Sequence, residues 1–532
     1  MNIERLKGQI ARKNKLNLFP KTIAFNLLNN SEFKSKPVRT MSGVAPVAIM
    51  TKPEHCPHGT CTFCSGGPGS YFGDVPKSYT GNEPASMRAL RNTFDAYLQV
   101  FNRLEHYVLL QQVPEKVELI IMGGTFLAYD RAYQDSFIMD ALQAMNDFGE
   151  LFFDENGLKY DFFKGFFELP RDFKNKDISD TLKNKILLLK KKSTLEQEQL
   201  KNETSKIRCC VFNLETKPDW CFEEHINQAL RLGTTRVEVG IQTLNDSILK
   251  KTNRGHTLED SKKASQLLKD SFLKTCFHVM IGLPGSSKKE DINNFKILFE
   301  DENYKPDALK IYPCMVMPGT PLFKQYEKGM FKPLNTEEAS EILIEAKKFI
   351  PEYCRVMRIV RDIPTKHTVD GVGMNNLRQY LHEKMIKENV KCRCIRCREP
   401  RNKNVDWDNV ELKRIDYESS GGKELFLSFE DGNYLLGFLR LRKPYKPFRK
   451  EITKDSVGVR EMHVYGEAAS LGKKGKIQHR GLGKKLLLEA ERIAKEEFKA
   501  KKMLIISGIG TKEYFYNLGY KKEGVYVSKA LE

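Results

Sequence analysis

From Lys116 to Pro313 the chain alternates short apolar runs with amphipathic stretches of ten or more residues, and this alternation sets its fold class. Lys116–Met122, Val211–Thr216, Thr235–Gln242, Lys274–Ile281 and Ala308–Pro313 have the length and apolar content of buried strands. Cys221–Leu232 and residues 257–269 have helical periodicity, and a long helix is expected from Pro84 to about Val113. Strands separated by helices pair in parallel, because a parallel return needs a crossover of about a dozen residues or more. The expectation is an α/β protein built on a partial (βα) barrel. Active sites of such barrels collect at the strand C-terminal ends. Gly123, Gly124, Gln242, Gly282 and Tyr312 all fall at such ends. Of the polar residues there, Gln242, Lys310 and Tyr312 are the candidate catalytic groups, although each also reads as a polar cap on the sheet rim.

Upstream of these strands lies Cys56-Pro57-His58-Gly59-Thr60-Cys61-Thr62-Phe63-Cys64, followed by the glycine-rich Ser65–Gly69. Thiolates are soft ligands, and three so close together suit zinc or iron–sulfur chemistry over a hard cation. A structural site is normally closed by four ligands, whereas a cluster held by three leaves one metal open to substrate. Two readings follow from the spacing: a substrate-binding cluster, or a structural metal completed by a distant ligand. Cys392, Cys394 and Cys397 form a second tight group amid basic residues, which reads as structural zinc with Cys354 or His367 as candidate fourth ligands.

Composition narrows the partners. The 532 residues allow two to four domains, and the formal charge of +19 points to a polyanion. Twelve cysteines in this pattern read as metal ligands in a reducing cell. No apolar run approaches the ~20 residues of a membrane span, and no signal peptide is evident, so a soluble cytoplasmic protein without membrane contact is expected. Residues 1–40 are basic with helical spacing at Ile3, Leu6 and Ile10, and read either as an RNA-binding segment or as a solvated helix. Residues 147–206, rich in Phe and Lys, read as a surface insertion.

The last 120 or so residues change style. A hairpin is expected through Asp431-Gly432-Asn433, then a strand Val457–Val464. Gln478-His479-Arg480-Gly481-Leu482-Gly483-Lys484 opens an amphipathic helix, and a Gly-x-Gly at a helix start aims free N–H groups at an anion. The domain scheme is thus 1–40, a barrel over 41–350, a cysteine-rich linker over 351–410, and a final domain over 411–532.

Two resemblances meet in this chain. Cys56, Cys61 and Cys64 followed by Gly123-Gly124-Thr125 resemble the radical S-adenosylmethionine class, with four and two intervening residues where three and two are usual. The Gln-x-x-Gly-x-Gly module resembles the GNAT acetyltransferases. Their fusion, with Ser78–Pro84, Met122–Phe126, Glu238–Gln242, Thr252–Thr257, Arg361–Pro364 and His463–Gly466, resembles the catalytic subunit of Elongator in its single-chain archaeal form.

The resemblance implies a radical SAM partial barrel, a zinc-bearing linker and a GNAT-like domain. It implies a [4Fe-4S] cluster on Cys56, Cys61 and Cys64, with S-adenosylmethionine beside Gly123 and Gly124. It implies acetyl-CoA contacts from Lys116, Glu461, Met462, His463, Val464, Gln478, Gly481, Leu482, Gly483, Lys484, Tyr514 and Phe515, the last standing where relatives carry tyrosine. The implied activity is that of a tRNA uridine(34) acetyltransferase. A radical from S-adenosylmethionine and carbon from acetyl-CoA would convert the wobble uridine of the anticodon stem-loop toward 5-carboxymethyluridine. No other subunits are implied, and a homodimer is compatible with it. The competing reading is a protein-lysine acetyltransferase with a structural iron–sulfur domain.

Overall fold

A computed structural model describes residues 42–531 apart from 173–174, 402, 468–476 and 479, so the basic segment 1–40 lies outside the described residues. Strand β1 (Val44–Met50) is followed, beyond the cysteine loop, by the small hairpin β2–β3 (Gly67–Ser70, Gly73–Val75) and by β4 (Lys116–Met122). A two-residue hairpin, β5–β6 (Phe153–Asp154, Gly157–Leu158), precedes β7 (Arg208–Thr216), β8 (Arg236–Gln242), β9 (Lys274–Ile281), β10 (Ala308–Pro313) and β11 (Arg355–Ile359). Seven of these form one wholly parallel sheet in the order β1-β4-β7-β8-β9-β10-β11. The order follows the chain, as expected when each right-handed crossover lays the next strand beside the last. The sheet is the α/β partial barrel expected from sequence.

Alternation along β4 shows how the sheet sorts its faces. Val117, Leu119 and Ile121 are fully buried, while Glu118, Ile120 and Met122 line the concave side. The expected helix over Pro84–Val113 is two helices, Pro84–Arg91 and Ala96–Leu109. Thr93 and Phe94 between them take positive φ, and the Asp95 carboxylate caps the second helix at the Leu98 N–H, 2.8 Å away. Residues 147–206 are mostly helical and not a loose surface excursion. Phe148, Phe152 and Phe163 are buried edge-to-face neighbours with Phe167 tilted against Phe163, and Asn202 accepts the Cys209 N–H at 2.8 Å. The Phe–Lys texture is thus that of helices with aromatics inward. The seventh strand, β11, lies past residue 350, where the sequence reading had begun the linker.

The second sheet comprises β12 (Val410–Ser419), β13 (Gly422–Asp431), β14 (Tyr434–Lys443), β15 (Ser456–Val464), β16 (Lys502–Ile505), β17 (Lys521–Glu523) and β18 (Tyr526–Ala530). Its order is β12-β13-β14-β15-β16-β18-β17, antiparallel except for β15 against β16. The helix Leu482–Glu496 turns Leu486, Leu487, Ala490 and Ile493 onto it, over Leu425, Leu439 and Val457.

The second sheet closes the N-terminal ends of the barrel strands through charge. Arg460 pairs with Asp307 at 2.5 Å and with Glu424 at 2.8 Å, and Arg442 with Asp270 at 2.5 Å and Glu424 at 2.9 Å, all without exposure. Arg440 and Lys274 share Glu461. Beside them Gly508 lies so close to the Cys210 carbonyl that a Cβ would collide with it. Removing one member of such a buried set leaves its partners charged and dry, at a cost of about 3–5 kcal/mol. Asp307→Asn is therefore expected to lower the unfolding free energy by about that amount, read by denaturant titration. Burial alone would raise the Glu461 pKa, but Lys274 and Arg440 outweigh it and bring it down to about 2. Its folded pKa lies below the unfolded value of about 4.3. The stability it contributes is then whole above about pH 4.3 and is lost as pH falls toward 2. Glu461→Gln should flatten the acid limb of the stability profile over that window.

Candidate functional site

The cysteine loop is pinned at its turns before any metal is considered. Gly59 N–H bonds the Cys56 carbonyl at 2.9 Å, Cys64 N–H bonds that of Cys61 at 3.0 Å, and Thr62 N–H reaches Thr252 at 3.1 Å. The turn at Gly59 has φ of +90°, which favours glycine. All three thiols line one cavity of about 780 Å³ at the strand C-terminal ends. Cys61 Sγ accepts from Arg254 at 3.3 Å and lies 3.2 Å from His58 Nε2, while Cys64 Sγ accepts the Ser78 N–H at 3.3 Å. Burial, with Lys217 and Arg254 nearby, pushes the His58 pKa down to about 3, so the imidazole is neutral. Burial, then the neighbouring Cys64 and Cys61, raises the Cys56 thiol.

These residues fit an iron–sulfur cluster. The donor set is three soft thiols converging on shared space, with N–H donors and a guanidinium aimed at two sulfurs. Gly124 lines the cavity, and Gly123 beside it packs directly on Thr51. Gly123 and Gly124 at the end of β4 have φ of +134° and +104°, and a Cβ on Gly123 would collide with Thr51.

Gln242, Lys310 and Tyr312 are brought together on the cavity wall. Gln242 is a non-glycine residue at φ +73° and only 9% exposed, a strained conformation of the kind that clusters at ligand sites. Below it the barrel lumen is ionic. Lys310 is held by Glu238, with Glu215 at 3.8 Å; His278 Nε2 lies 3.0 Å from Glu238, and Arg236 bridges Glu118 at 2.8 Å and Glu238 at 3.1 Å. Tyr79 donates to Glu215 at 2.9 Å. Burial opposes charge on Lys310, but Glu238 overrides it and raises the ammonium above its ordinary pKa; Glu238 is correspondingly held well below the carboxylate range. Both stay ionised at neutral pH, so Lys310 is a fixed cation and no general base. Glu215, Glu238 and His278 offer ligand atoms within 4.8 Å of one another, but the Lys310 ammonium already neutralises that set.

In the second domain Gly481, at φ +81°, caps the helix Leu482–Glu496. The first-turn amides of Leu482, Gly483 and Lys484 lack intrahelical partners, as in any helix start. Val464, Met462 and the Tyr514 hydroxyl all stand within 4 Å of where a Gly483 Cβ would be. Lys116 pairs in register with Arg208, which reaches Glu513 beside Tyr514 at 3.4 Å, so the barrel strand is carried to this region. Other predicted contacts are occupied structurally. Glu461 is locked by Lys274 and Arg440, and Gln478 donates to the Ser42 and Gly466 carbonyls at 3.2 Å. His463 packs against Tyr465 with centroids 4.4 Å apart, and burial brings its pKa to about 4. Phe515 is 6% exposed in the core, so Tyr514 is the aromatic that faces Gly483.

The Cys392, Cys394 and Cys397 sulfurs lie within 4.8 Å of one another, a set that fits a single soft ion. Among the described residues no fourth ligand joins them. Cys354 offers its carbonyl to the Ile395 N–H, and His367 packs on Phe72. Sequence reasoning missed Arg254, Glu238, Arg236, His278 and Tyr79 as individual contributors. For Arg236, Glu238 and His278 the signal was present, polar residues at alternate positions of otherwise apolar strands, whereas Tyr79 and Arg254 lie in loops with no such pattern.

The chain matches the radical SAM superfamily over residues 50–295 and the radical SAM C-terminal domain over 306–387. It is 48% identical to the tRNA uridine(34) acetyltransferase of Methanocaldococcus jannaschii, over 94% of this chain and 86% of that one. Elongator complex protein 3 of Saccharomyces cerevisiae is 36% identical, over 94% of this chain and 85% of that one. The solved structure of archaeal Methanocaldococcus infernus Elp3 with an N-terminal deletion superposes with a TM-score of 0.75 at 42% identity, covering 92% of this chain and all of that one. Similarity of this extent along nearly the whole length makes the chain a member of the radical SAM family that contains the tRNA uridine(34) acetyltransferases and Elongator complex protein 3.

Proposed function

We propose that this protein modifies uridine 34 in the anticodon loop of tRNA, with acetyl-CoA as carbon source, yielding 5-carboxymethyluridine. The observation that carries the reading is one chain joining a three-cysteine cavity to a second fold with a glycine-capped helix start suited to an anion. An amine acetyltransferase has no use for the first, and a radical enzyme acting alone has none for the second. The charge of +19 and the family membership agree with a tRNA substrate.

Cys56, Cys61 and Cys64 would hold the [4Fe-4S] cluster, and Gly123, Gly124 and Gln242 would wall S-adenosylmethionine. Together these groups supply one-electron chemistry able to activate an unactivated methyl C–H bond. The protein's own part is positioning. Arg254 and the Ser78 N–H fix two sulfurs, Lys310 offers a permanent positive charge on the cavity wall, and Arg358 and Arg361 flank the same cavity where RNA phosphate would approach. The GNAT-like sheet would bind acetyl-CoA, its pyrophosphate on the amides of Leu482 to Lys484 and its thioester arm along Met462–Val464 and Tyr514. Cys392, Cys394 and Cys397 would hold structural zinc. In the net change C5–H of uracil would become C5–CH2–COO−: S-adenosylmethionine would be consumed as the two-electron oxidant, giving methionine and 5′-deoxyadenosine that carries the methyl hydrogen, the C5 hydrogen would leave as a proton, and CoA would leave by thioester hydrolysis.

Acetyl-CoA hydrolysis by the purified protein should rise when tRNA is added. Cys56/Cys61/Cys64→Ala should lose its iron and its modified-uridine product while retaining acetyl-CoA binding. Turnover indifferent to tRNA, together with acetylation of a lysine peptide, would transfer the assignment to the protein acetyltransferases. Lys310→Met should cut product formation on the order of 10²-fold, the size of losing one preorganised charge. Its iron content should be unchanged, and Lys310→Arg should restore part of the rate.

A further inference from the structure

The hairpin β2–β3 directly follows the cysteine loop, yet the reaction as described makes no use of its tip. Tyr71 there is 69% exposed, the most exposed of the tyrosines, phenylalanines and tryptophans among the described residues. Exposed tyrosines usually swing freely, but this one is seated against Phe72 and Gly319. Its ring meets Phe72 edge-on at 5.1 Å, and Phe72 meets His367 edge-on at 6.3 Å. Its Cβ rests on Gly319 so closely that any side chain there would collide with it. The turn beneath is stiffened by Ser70 donating to the Gly73 carbonyl at 2.7 Å and Asp74 accepting the Gly69 N–H at 2.8 Å. The result is a fixed aromatic ring with a free face.

Its location gives that face a purpose. Both feet of the hairpin, Cys64 and Lys77, line the cysteine cavity, and Pro364, just before the His367 turn, lines it too. Strands of three or four residues at about 3.4 Å each carry Tyr71 roughly 10–14 Å out from the hairpin base that leads into the cavity lining. The cations on this side include the exposed Lys366 and the partly exposed Arg361 and Arg358 of the cavity lining, Arg358 being paired with Asp362 at 2.7 Å, while Lys77 is buried against Thr60. One flat ring among cations is too small an apolar area for a docking peptide, but it suits one base of a strand whose phosphates meet the cations.

We propose that Tyr71 is a stacking platform for an unpaired nucleobase next to the one that enters the cavity. It would hold the loop open and set the register of the reacting nucleotide. This rests on the RNA-modifying reading above. The test is binding of the full-length protein to an anticodon stem-loop RNA, and to a fully paired duplex of equal length, across a salt series. Tyr71→Ala should weaken stem-loop binding about tenfold, since base–aromatic stacking contributes ~1–3 kcal/mol. Tyr71→Phe should bind within about twofold of wild type, because the π-face is retained. The slope of log Kd against log salt should not change, since no phosphate contact is lost, and duplex binding should be unaffected. Unchanged stem-loop affinity in Tyr71→Ala overturns the platform while leaving the tRNA reading intact. So does an equal loss on the duplex, or a loss in Tyr71→Phe as large as in Tyr71→Ala. A wild-type protein that binds neither RNA overturns both.

Discussion

Arg440, Arg442 and Arg460 of the second sheet, set against Asp270 and Asp307 of the barrel with Glu424 between them, are entirely removed from water, and the rest of the molecule depends on that arrangement. Ions taken out of water pay a desolvation penalty that only close, multiply bonded partners can return. Here the geometry leaves little freedom: guanidinium forks fix direction as well as distance. The second sheet is therefore held in one orientation beneath the strand N-terminal ends, and the C-terminal ends are left open for the cysteine cavity. A strand of six to nine residues spans roughly 20–30 Å. That span separates the charged interface at one end of the strands from the cysteine cavity at the other.

The barrel interior repeats the same economy. Glu118, Arg236, Glu238, His278 and Lys310 occupy positions that an ordinary barrel fills with branched apolar side chains. Their mutual pairing keeps each charge in a fixed place and fixes the protonation states that bulk pH would otherwise set. Packing efficiency is exchanged for a rigid electrostatic floor beneath the cavity, which is where preorganised charge is most useful to chemistry. Gln242 in its left-handed conformation and Gly124 complete the cavity wall.

Much of this was legible in the residues themselves. Lys116–Met122, Lys274–Ile281 and Ala308–Pro313 were read with the bounds the structure has, because an apolar run between helices is a local signal. The three loop cysteines and the Gly-x-Gly helix start were equally local. Where the reading slipped, a longer-range force had decided. The Pro84–Val113 helix breaks because Asp95 caps a new one. The phenylalanines of 147–206 turn inward because a neighbouring helical layer covers them. The strand Arg355–Ile359 was overlooked because a five-residue edge strand carries little pattern of its own.

By itself the sequence determined which residue types could bind metal, anion and polyanion, and which segments would be strands; both follow from side-chain chemistry and from period. Only the tertiary structure decided what each residue does. Glu461 and Gln478 are spent on holding the domains together, Phe515 is core while Tyr514 faces the helix start, Lys310 is a bound cation, and Tyr71 stands exposed at the hairpin tip. Those outcomes depend on contacts between residues tens to hundreds of positions apart, and a charge or a ring has no fixed role until its partner across the fold is in place.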